Sequence, residues 1–192
     1  MDGALLASQT RLFEFSSYVR IFKSVHRATP FGCVPGRSRF GGTDKSFAVL
    51  YAANDLTTAL AEGLIRDRFE GLEHHLRRLF PVELADYTAV HIGTNKPLRL
   101  LDLRRGGCLK LGVSTDITGA KCHRHAQQLS DRVYKEVKID GILYPSRLTA
   151  ENCVAIFDRA VASHLTQGGI APLIQLADVS EALKKLNVRL IR

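Results

Sequence analysis

The sequence predicts a mixed α+β domain, on three observations. Several apolar runs are strand-length and bounded by turn residues. Only a few segments with helical spacing interrupt them, without regular βαβ alternation. No G-x-G-x-x-G turn opens a helix after a strand, which argues against a Rossmann fold.

The elements follow in chain order. Residues 26–42 read as a loop, with Pro30, Gly32, Pro35, Gly36, Gly41 and Gly42 punctuating it. Phe47 to Ala53 is a continuous apolar run, consistent with a buried strand. Asn54-Asp55 can cap a following helix. Leu56, Ala59, Leu60, Gly63 and Leu64 recur at helical spacing, so residues 55–69 read as an amphipathic helix. Residues 72–80 read as another. Tyr87 to Ile92 alternates as a half-buried strand, and Leu98 to Leu103 reads as the next. Ala126, Leu129, Val133 and Val137 mark a helix over residues 122–137. Ile139 to Tyr144 gives a turn and a strand, stopped by Pro145, and Cys153 to Phe157 is a further strand. The tail offers Pro172 to Ala177 as a strand, Ser180 to Leu186 as a short helix and Val188 to Ile191 as a last strand.

The chain has 192 residues, 45% hydrophobic and 24% charged, which fits one globular domain spanning 1–192 and excludes disorder and fibrous architecture. No apolar run approaches the roughly 20 residues of a membrane helix. The first residues carry Asp2 where a secretory leader is basic, so a cytoplasmic protein is expected. Cys33, Cys108, Cys122 and Cys153 are scattered without a pairing pattern and read as reduced thiols. Lys121-Cys122-His123-Arg124-His125 lacks a second ligand pair and has cationic neighbours, so it reads as the polar start of a helix and no metal is expected. The net charge is +8, and residues 101–150 hold nine Lys/Arg against five Asp/Glu. That excess suits an anionic ligand or acidic partner. No nucleic-acid motif accompanies it, so direct nucleic-acid binding is not expected.

Single residues that can carry chemistry each have a plainer role as well. Glu62 is rotated about 200° from Leu60 on a helix, off the apolar stripe, where a solvent-facing glutamate is commonest. Tyr51 sits inside an apolar strand, as a core tyrosine does. Arg27 and Arg39 lie in the glycine-rich loop, where arginine forks suit phosphates and glycines let a backbone approach. Ser146 follows Tyr144-Pro145 at a strand end, as a turn serine does.

Their order is more telling. His26-Arg27-Ala28, Arg39-Phe40, Val49-Leu50-Tyr51, Thr58-Ala59-Leu60-Ala61-Glu62, Asp140-Gly141-Ile142-Leu143-Tyr144-Pro145-Ser146 and Asn152, with Leu101-Asp102-Leu103 between, resemble the RES domain family over about Val25 to Asp158. The strand tyrosine followed by Thr-Ala-x-x-Glu, and the Asp-Gly-x-x-Tyr-x-Ser block, are the most specific parts. One departure is the loop: the family's glycines precede its arginine, whereas Gly41 and Gly42 follow Arg39 here. Arg39 rather than Arg37 is carried over because Phe40 follows it.

The resemblance implies an α+β, mono-ADP-ribosyltransferase-like split β-sandwich with flanking helices, a core of about 25–158 and a C-terminal extension over 159–192. It implies a toxin of a bacterial toxin–antitoxin pair that consumes NAD+ as substrate, without a metal, by hydrolysis or phosphorolysis. The alternative is mono-ADP-ribosylation of a protein. The implied partner is a cognate Xre-type helix-turn-helix antitoxin, with DNA engaged only through it, and a dimer within that complex is compatible. Glu62, Arg27 and Ser146 are the implied catalytic residues. Arg27, Arg39, Tyr51, Ser146 and Asn152 are implied to hold NAD+. Composition by itself leaves a third class open, a non-enzymatic basic binding module whose affinity falls steeply with salt.

Overall fold

The computed structural model describes residues 3–69 and 71–191. Its strands are β1 (Thr10–Phe13), β2 (Tyr18–Lys23), β3 (Val49–Ala53), β4 (Arg78–Leu79), β5 (Tyr87–Thr94), β6 (Leu98–Asp102), β7 (Gly141–Pro145), β8 (Asn152–Phe157), β9 (Leu165–Pro172) and β10 (Arg189–Leu190). Its α-helices are α1 (Gly3–Ser8), α2 (Leu56–Leu60), α3 (Arg66–Phe69), α4 (Pro81–Ala85), α5 (Gly107–Lys110), α6 (Asp116–Gly119), α7 (Arg124–Glu136), α8 (Asp158–His164) and α9 (Val179–Lys185).

One sheet runs β1-β6-β7-β8-β3-β2-β5-β9, and β10 pairs with β4 in a small second sheet. Within the large sheet β6 and β7 are parallel, and the other neighbours are antiparallel. The β2–β3 seam is the weak join. These two strands are in register only at Val19 and Ala53, whereas β3 and β8 are paired along five residues. The sheet therefore opens there, and this split positions the site. The chain thus adopts the expected α+β class, a split sheet flanked by helices. The sheet takes in β2 and β9, so it extends beyond residues 25–158 at both ends.

Period-two alternation sends each strand's residues to opposite faces. Val49, Ala53, Ile142, Tyr144, Ala155 and Phe157 pack on one face beneath α2, α7 and α9. Leu50, Ala52, Leu143, Val154 and Ile156 pack on the other with Phe15, Tyr18 and the α8 residues Ala160 and Val161. Both faces of β7 and β8 are covered, which is why those strands read as unbroken apolar runs. Gly141 fits this packing. A Cβ there would collide with the Ala155 carbonyl oxygen of β8.

Asp55 caps α2 by accepting from the Thr58 amide at 2.8 Å, as the sequence suggests. The expected 55–69 helix forms, but a π-helical turn over Ala61–Ile65 joins α2 to α3. The 122–137 helix is α7.

Two expectations for local structure fail. Residues 72–80 hold a 3₁₀ turn (His74–Leu76) and the two-residue β4, not an amphipathic helix. The segment makes its backbone pairing with β10 instead. The strand placed at Pro172–Ala177 ends at Pro172, and Leu173–Gln175 is a 3₁₀ turn. Its real residues are the polar edge sequence of β9. The sequence reading also lacks β1, β2, α4 and α8.

Candidate active site

A cleft of about 240 Å³ opens at the β2–β3 split. Its walls come from β2 (Val19, Arg20, Ile21), β3 (Tyr51, Ala52, Ala53) and the 38–39 loop. The α2–α3 segment adds Glu62 and Arg66, and His123, Tyr144 and Cys153 complete it.

Glu62 enters this cleft although it lies off the apolar stripe. The stripe residues Leu56, Leu60 and Leu64 are buried in the core. The neighbouring helix face meets β2, because a Cβ on Gly63 would touch Ile21 Cβ at 3.8 Å. Glu62 therefore looks at the split rather than at open water, with its side chain 20% exposed. Its π-helical turn is of a kind often found at functional positions.

Both carboxylate oxygens of Glu62 are held. Ser146 Oγ donates to Oε1 at 2.7 Å, and Arg66 Nη1 donates to Oε2 at 3.1 Å. Ser146 is 2% exposed and fixed from below. Its Oγ accepts from the amides of Leu148 (3.1 Å) and Thr149 (3.3 Å), so it is a turn serine as well as a partner of Glu62. Thr58 on α2 shares a hydroxyl hydrogen bond with Thr149 at 2.9 Å, tying helix and loop together. We expect Ser146→Ala to cost about 1–2 kcal/mol of stability, read by urea unfolding, because two turn amides lose their acceptor.

Tyr51 and Arg39 reach the cleft by different means. The Tyr51 hydroxyl donates to Ser38 Oγ at 3.0 Å and accepts from the Phe40 amide at 2.9 Å. Burial pushes its pKa up to about 12, so it stays a neutral phenol. Arg39 is 8% exposed, and its Nη1 donates to the carbonyls of Ile117 (3.3 Å) and Ala120 (2.9 Å). Burial lowers its pKa from the usual guanidinium range, though an arginine remains a cation at neutral pH. It anchors the loop to α6 while lining the cleft. Arg37 is exposed and outside the lining, so Arg39 is the loop arginine of this site.

Arg27 is not brought to the site. It is exposed, follows the 3₁₀ turn Ser24–His26, and does not line the cleft. β2 ends at Lys23, so the chain has left the sheet before Arg27. The arginine that does line the cleft from β2 is Arg20. Its Nη2 donates to the Gly32 carbonyl at 2.8 Å. Its Nε is enclosed without a hydrogen-bond partner among the described residues. Burial lowers its pKa from the usual guanidinium range, and the neighbouring Cys33 opposes that. The signal for Arg20 was an arginine amid the strand-like Tyr18-Val19-Arg20-Ile21-Phe22.

Asn152 lies on β8, outside the cleft lining, and its Oδ1 accepts from Arg104 Nη1 at 3.2 Å. Arg104 is held in turn by Asp102, through Nε at 2.9 Å and Nη2 at 2.8 Å. Asn152 thus braces β8 against the chain after β6. Burial pushes the Asp102 carboxyl up, but the Arg104 hydrogen bonds and charge outweigh it, leaving its pKa below 3.8. A carboxylate lowered in the folded state stabilises fully above 3.8, and that contribution disappears as pH falls through the folded value. Arg104→Met should therefore lose stability at pH 7 and little at pH 2, read by urea midpoints at both.

His123 and Arg66 are cleft residues the sequence reading did not assign. His123 ends the loop before α7, and its Nδ1 faces the Arg37 carbonyl at 3.4 Å. A carbonyl only accepts, so Nδ1 carries the proton. Burial lowers the His123 pKa from 6.5, keeping the ring neutral at pH 7. Arg66 also donates to Asp67 at 2.8 Å, and that bond raises its pKa above the usual guanidinium range. Among the described residues no group of three His, Cys, Asp or Glu could hold a metal ion, and no helix is long and apolar enough to cross a membrane.

The split sheet and the buried-side carboxylate define an α+β protein with an arginine-lined cleft. Residues 17–176 match the RES domain model, and the chain belongs to that family. It is 33% identical over 117 residues to the "Probable toxin y4kH" of Sinorhizobium fredii, covering 58% of this chain and 91% of that one. Its fold matches a chain of the M. tuberculosis MbcT-MbcA toxin-antitoxin complex with a TM-score of 0.67 at 16% identity. That match covers 90% of this chain and 93% of the other.

Proposed function

We propose that this chain is the toxin of a toxin–antitoxin pair and that its cleft breaks the nicotinamide–ribose bond of NAD+. The observation that carries the reading is the Glu62 carboxylate, held by Ser146 and Arg66 on the wall of the cleft. Family membership and the toxin relative favour it. When the bond breaks, its electron pair goes to the nicotinamide nitrogen and quenches the pyridinium charge. Oxocarbenium-like positive charge develops on the ribose, as in glycoside hydrolysis. A preoriented carboxylate stabilises that charge without reorganising. An acceptor then adds at the ribose carbon and loses a proton.

The other groups have roles that fit. Tyr51, a neutral phenol on the cleft wall, offers a face for the nicotinamide ring. Arg20 and Arg39 supply positive charge for the pyrophosphate. The cleft, at about 240 Å³, is smaller than the roughly 300–1,000 Å³ that encloses a whole ligand. It suits the nicotinamide riboside half, leaving the rest of NAD+ at the mouth. Arg27 has no place in this scheme, and Asn152 acts by bracing β8. We further propose an Xre-type helix-turn-helix antitoxin as the neutralising partner.

The test is NAD+ concentration over time with purified protein, with and without phosphate, followed by product mass. Free ADP-ribose names water as acceptor, and its phosphate ester names phosphate. Label transferred from NAD+ to lysate protein instead assigns the protein-modifying reaction. Absence of NAD+ loss and of label transfer in every arm overturns the proposal. In the same assay Ser146→Ala should lower kcat about 10–100-fold with a smaller change in KM, because Glu62 loses one of its two supports.

A further inference from the structure

His123 is a cleft residue that the proposed chemistry leaves unused. It lines the cleft, half-buried, immediately before α7. Its Nδ1 faces the Arg37 carbonyl at 3.4 Å and donates to it. Nε2, on the far side of the ring, therefore carries a lone pair and no proton. The surroundings keep the ring neutral. The positive end of the 13-residue α7 adjoins it, and Arg39 and Arg66 add positive charge, which Asp67 opposes. The other ionisable groups of the cleft are poor proton acceptors at neutral pH. Arg20, Arg39 and Arg66 are cations. Burial holds the Tyr51 phenol and the Cys153 thiol at about 12 and the Tyr144 phenol well above its usual range, so all three keep their protons. Glu62 accepts a hydrogen bond at each oxygen, and a proton there would cancel the charge that faces the ribose cation.

We infer that water is the acceptor in this cleft and that His123 Nε2 takes its proton, an inference that rests on the NAD+ reading. The nicotinamide–ribose bond breaks, and its electron pair passes to the nicotinamide nitrogen. The water oxygen bonds to the same ribose carbon, one of its O–H bonds breaks, and that proton moves to Nε2. The imidazolium then returns the proton to solvent. Nicotinamide leaves as a neutral base, so no general acid is needed and one base completes the reaction. Phosphate dianion as acceptor would require no base, so an unprotonated imidazole nitrogen in the cleft favours water.

The test is NAD+ loss by the full chain in phosphate-free buffer, read as kcat against pH from about 5 to 8. The wild type should lose activity as pH falls through the His123 pKa, which burial holds below 6.5, because only the neutral ring accepts a proton. The charged groups facing the ring do not titrate in this range. Arg39 and Arg66 stay cationic, and the Arg66 hydrogen bond holds the Asp67 carboxyl below its ordinary value. On the ring's own segment Lys121 and Arg124 are exposed and stay cationic, and His125 lines a different groove. His123→Asn keeps an N–H for the Arg37 carbonyl but has no Nε2. It should lower kcat about 100-fold with little change in KM, and the acid limb should vanish. His125→Asn should keep both rate and limb. Thermal melts check the fold of both variants. Should His123→Asn not fold, the wild-type profile decides: a limb below 6.5 supports the inference and a flat profile overturns it. Wild-type turnover, or an unchanged acid limb, in folded His123→Asn also overturns it. NAD+ loss only when phosphate or lysate protein is present overturns this inference and leaves the NAD+ reading standing. No NAD+ loss under any condition overturns both.

Discussion

Glu62→Gln is expected to reduce NAD+ loss by about 10³-fold, the scale at which removing one preorganised charge-stabilising group acts. The substitution keeps shape and keeps an acceptor for Ser146 Oγ, whose bond to Glu62 is 2.7 Å long. It removes the negative charge that faces the developing ribose cation. It also presents an amide to Arg66, but Arg66 retains Asp67 at 2.8 Å, so no buried cation is stranded by the change. Stability should therefore shift by no more than about 1 kcal/mol. Thermal melting checks the fold, and chromatography of NAD+ checks the rate. Wild-type turnover by a folded Glu62→Gln protein would sink the assignment of Glu62, because no other carboxylate among the described residues lines the cleft.

What the sequence disclosed follows from how much each element depends on its own residues. β3, β7 and β8 are buried on both faces, so their apolar runs announce them. α2 carries its own cap in Asp55, and α7 carries its stripe in Ala126, Leu129 and Val133. β9 depends on a neighbour. Thr166 to Gly169 are exposed, and this edge strand exists through its pairing with β5. Its polar, glycine-containing sequence has no alternation to read, so the predicted strand slipped to the apolar residues that follow. Residues 72–80 failed for a related reason, since β4 is made by pairing with β10 from the far end of the chain.

The site divides in the same way. Tyr51, Glu62 and Ser146 sit in recognisable local motifs, and the structure brings all three to the split, with Ser146 behind the carboxylate. Arg39 is also in place. Two arginines that line the cleft, Arg66 and Arg20, carry no such local signal. Arg66 looks like an ordinary i,i+4 partner of Glu62 until the helix is set over the cleft. Arg20 could be recognised only once β2 was known to be a strand bordering the seam. Arg27 belongs to the His26-Arg27-Ala28 part of the family resemblance, yet the chain there has already turned away from the sheet.

Arg20→Met should lose substrate affinity without losing stability, an outcome of opposite sign to that of a structural arginine. In the free protein Arg20 makes one bond to a backbone carbonyl, and its Nε is enclosed with no partner among the described residues. Burying a cation costs solvation, and an apolar side chain of similar length in its place is often neutral or stabilising. Methionine should thus leave the melting temperature equal or higher. The partly exposed Arg20 guanidinium lines the cleft, and a hydrogen bond to a charged group contributes about 1.5–3 kcal/mol. That corresponds to an increase in KM for NAD+ of about 10–150-fold, larger than the change in kcat, if Arg20 holds the pyrophosphate. Arg27→Ala, at an exposed position outside the cleft, should change neither KM nor melting temperature. A steep loss of stability in Arg20→Met with unchanged KM would make Arg20 a strut for the Gly32 loop. In that case the phosphate would be left to Arg39, whose Nη1 is already bonded to two backbone carbonyls.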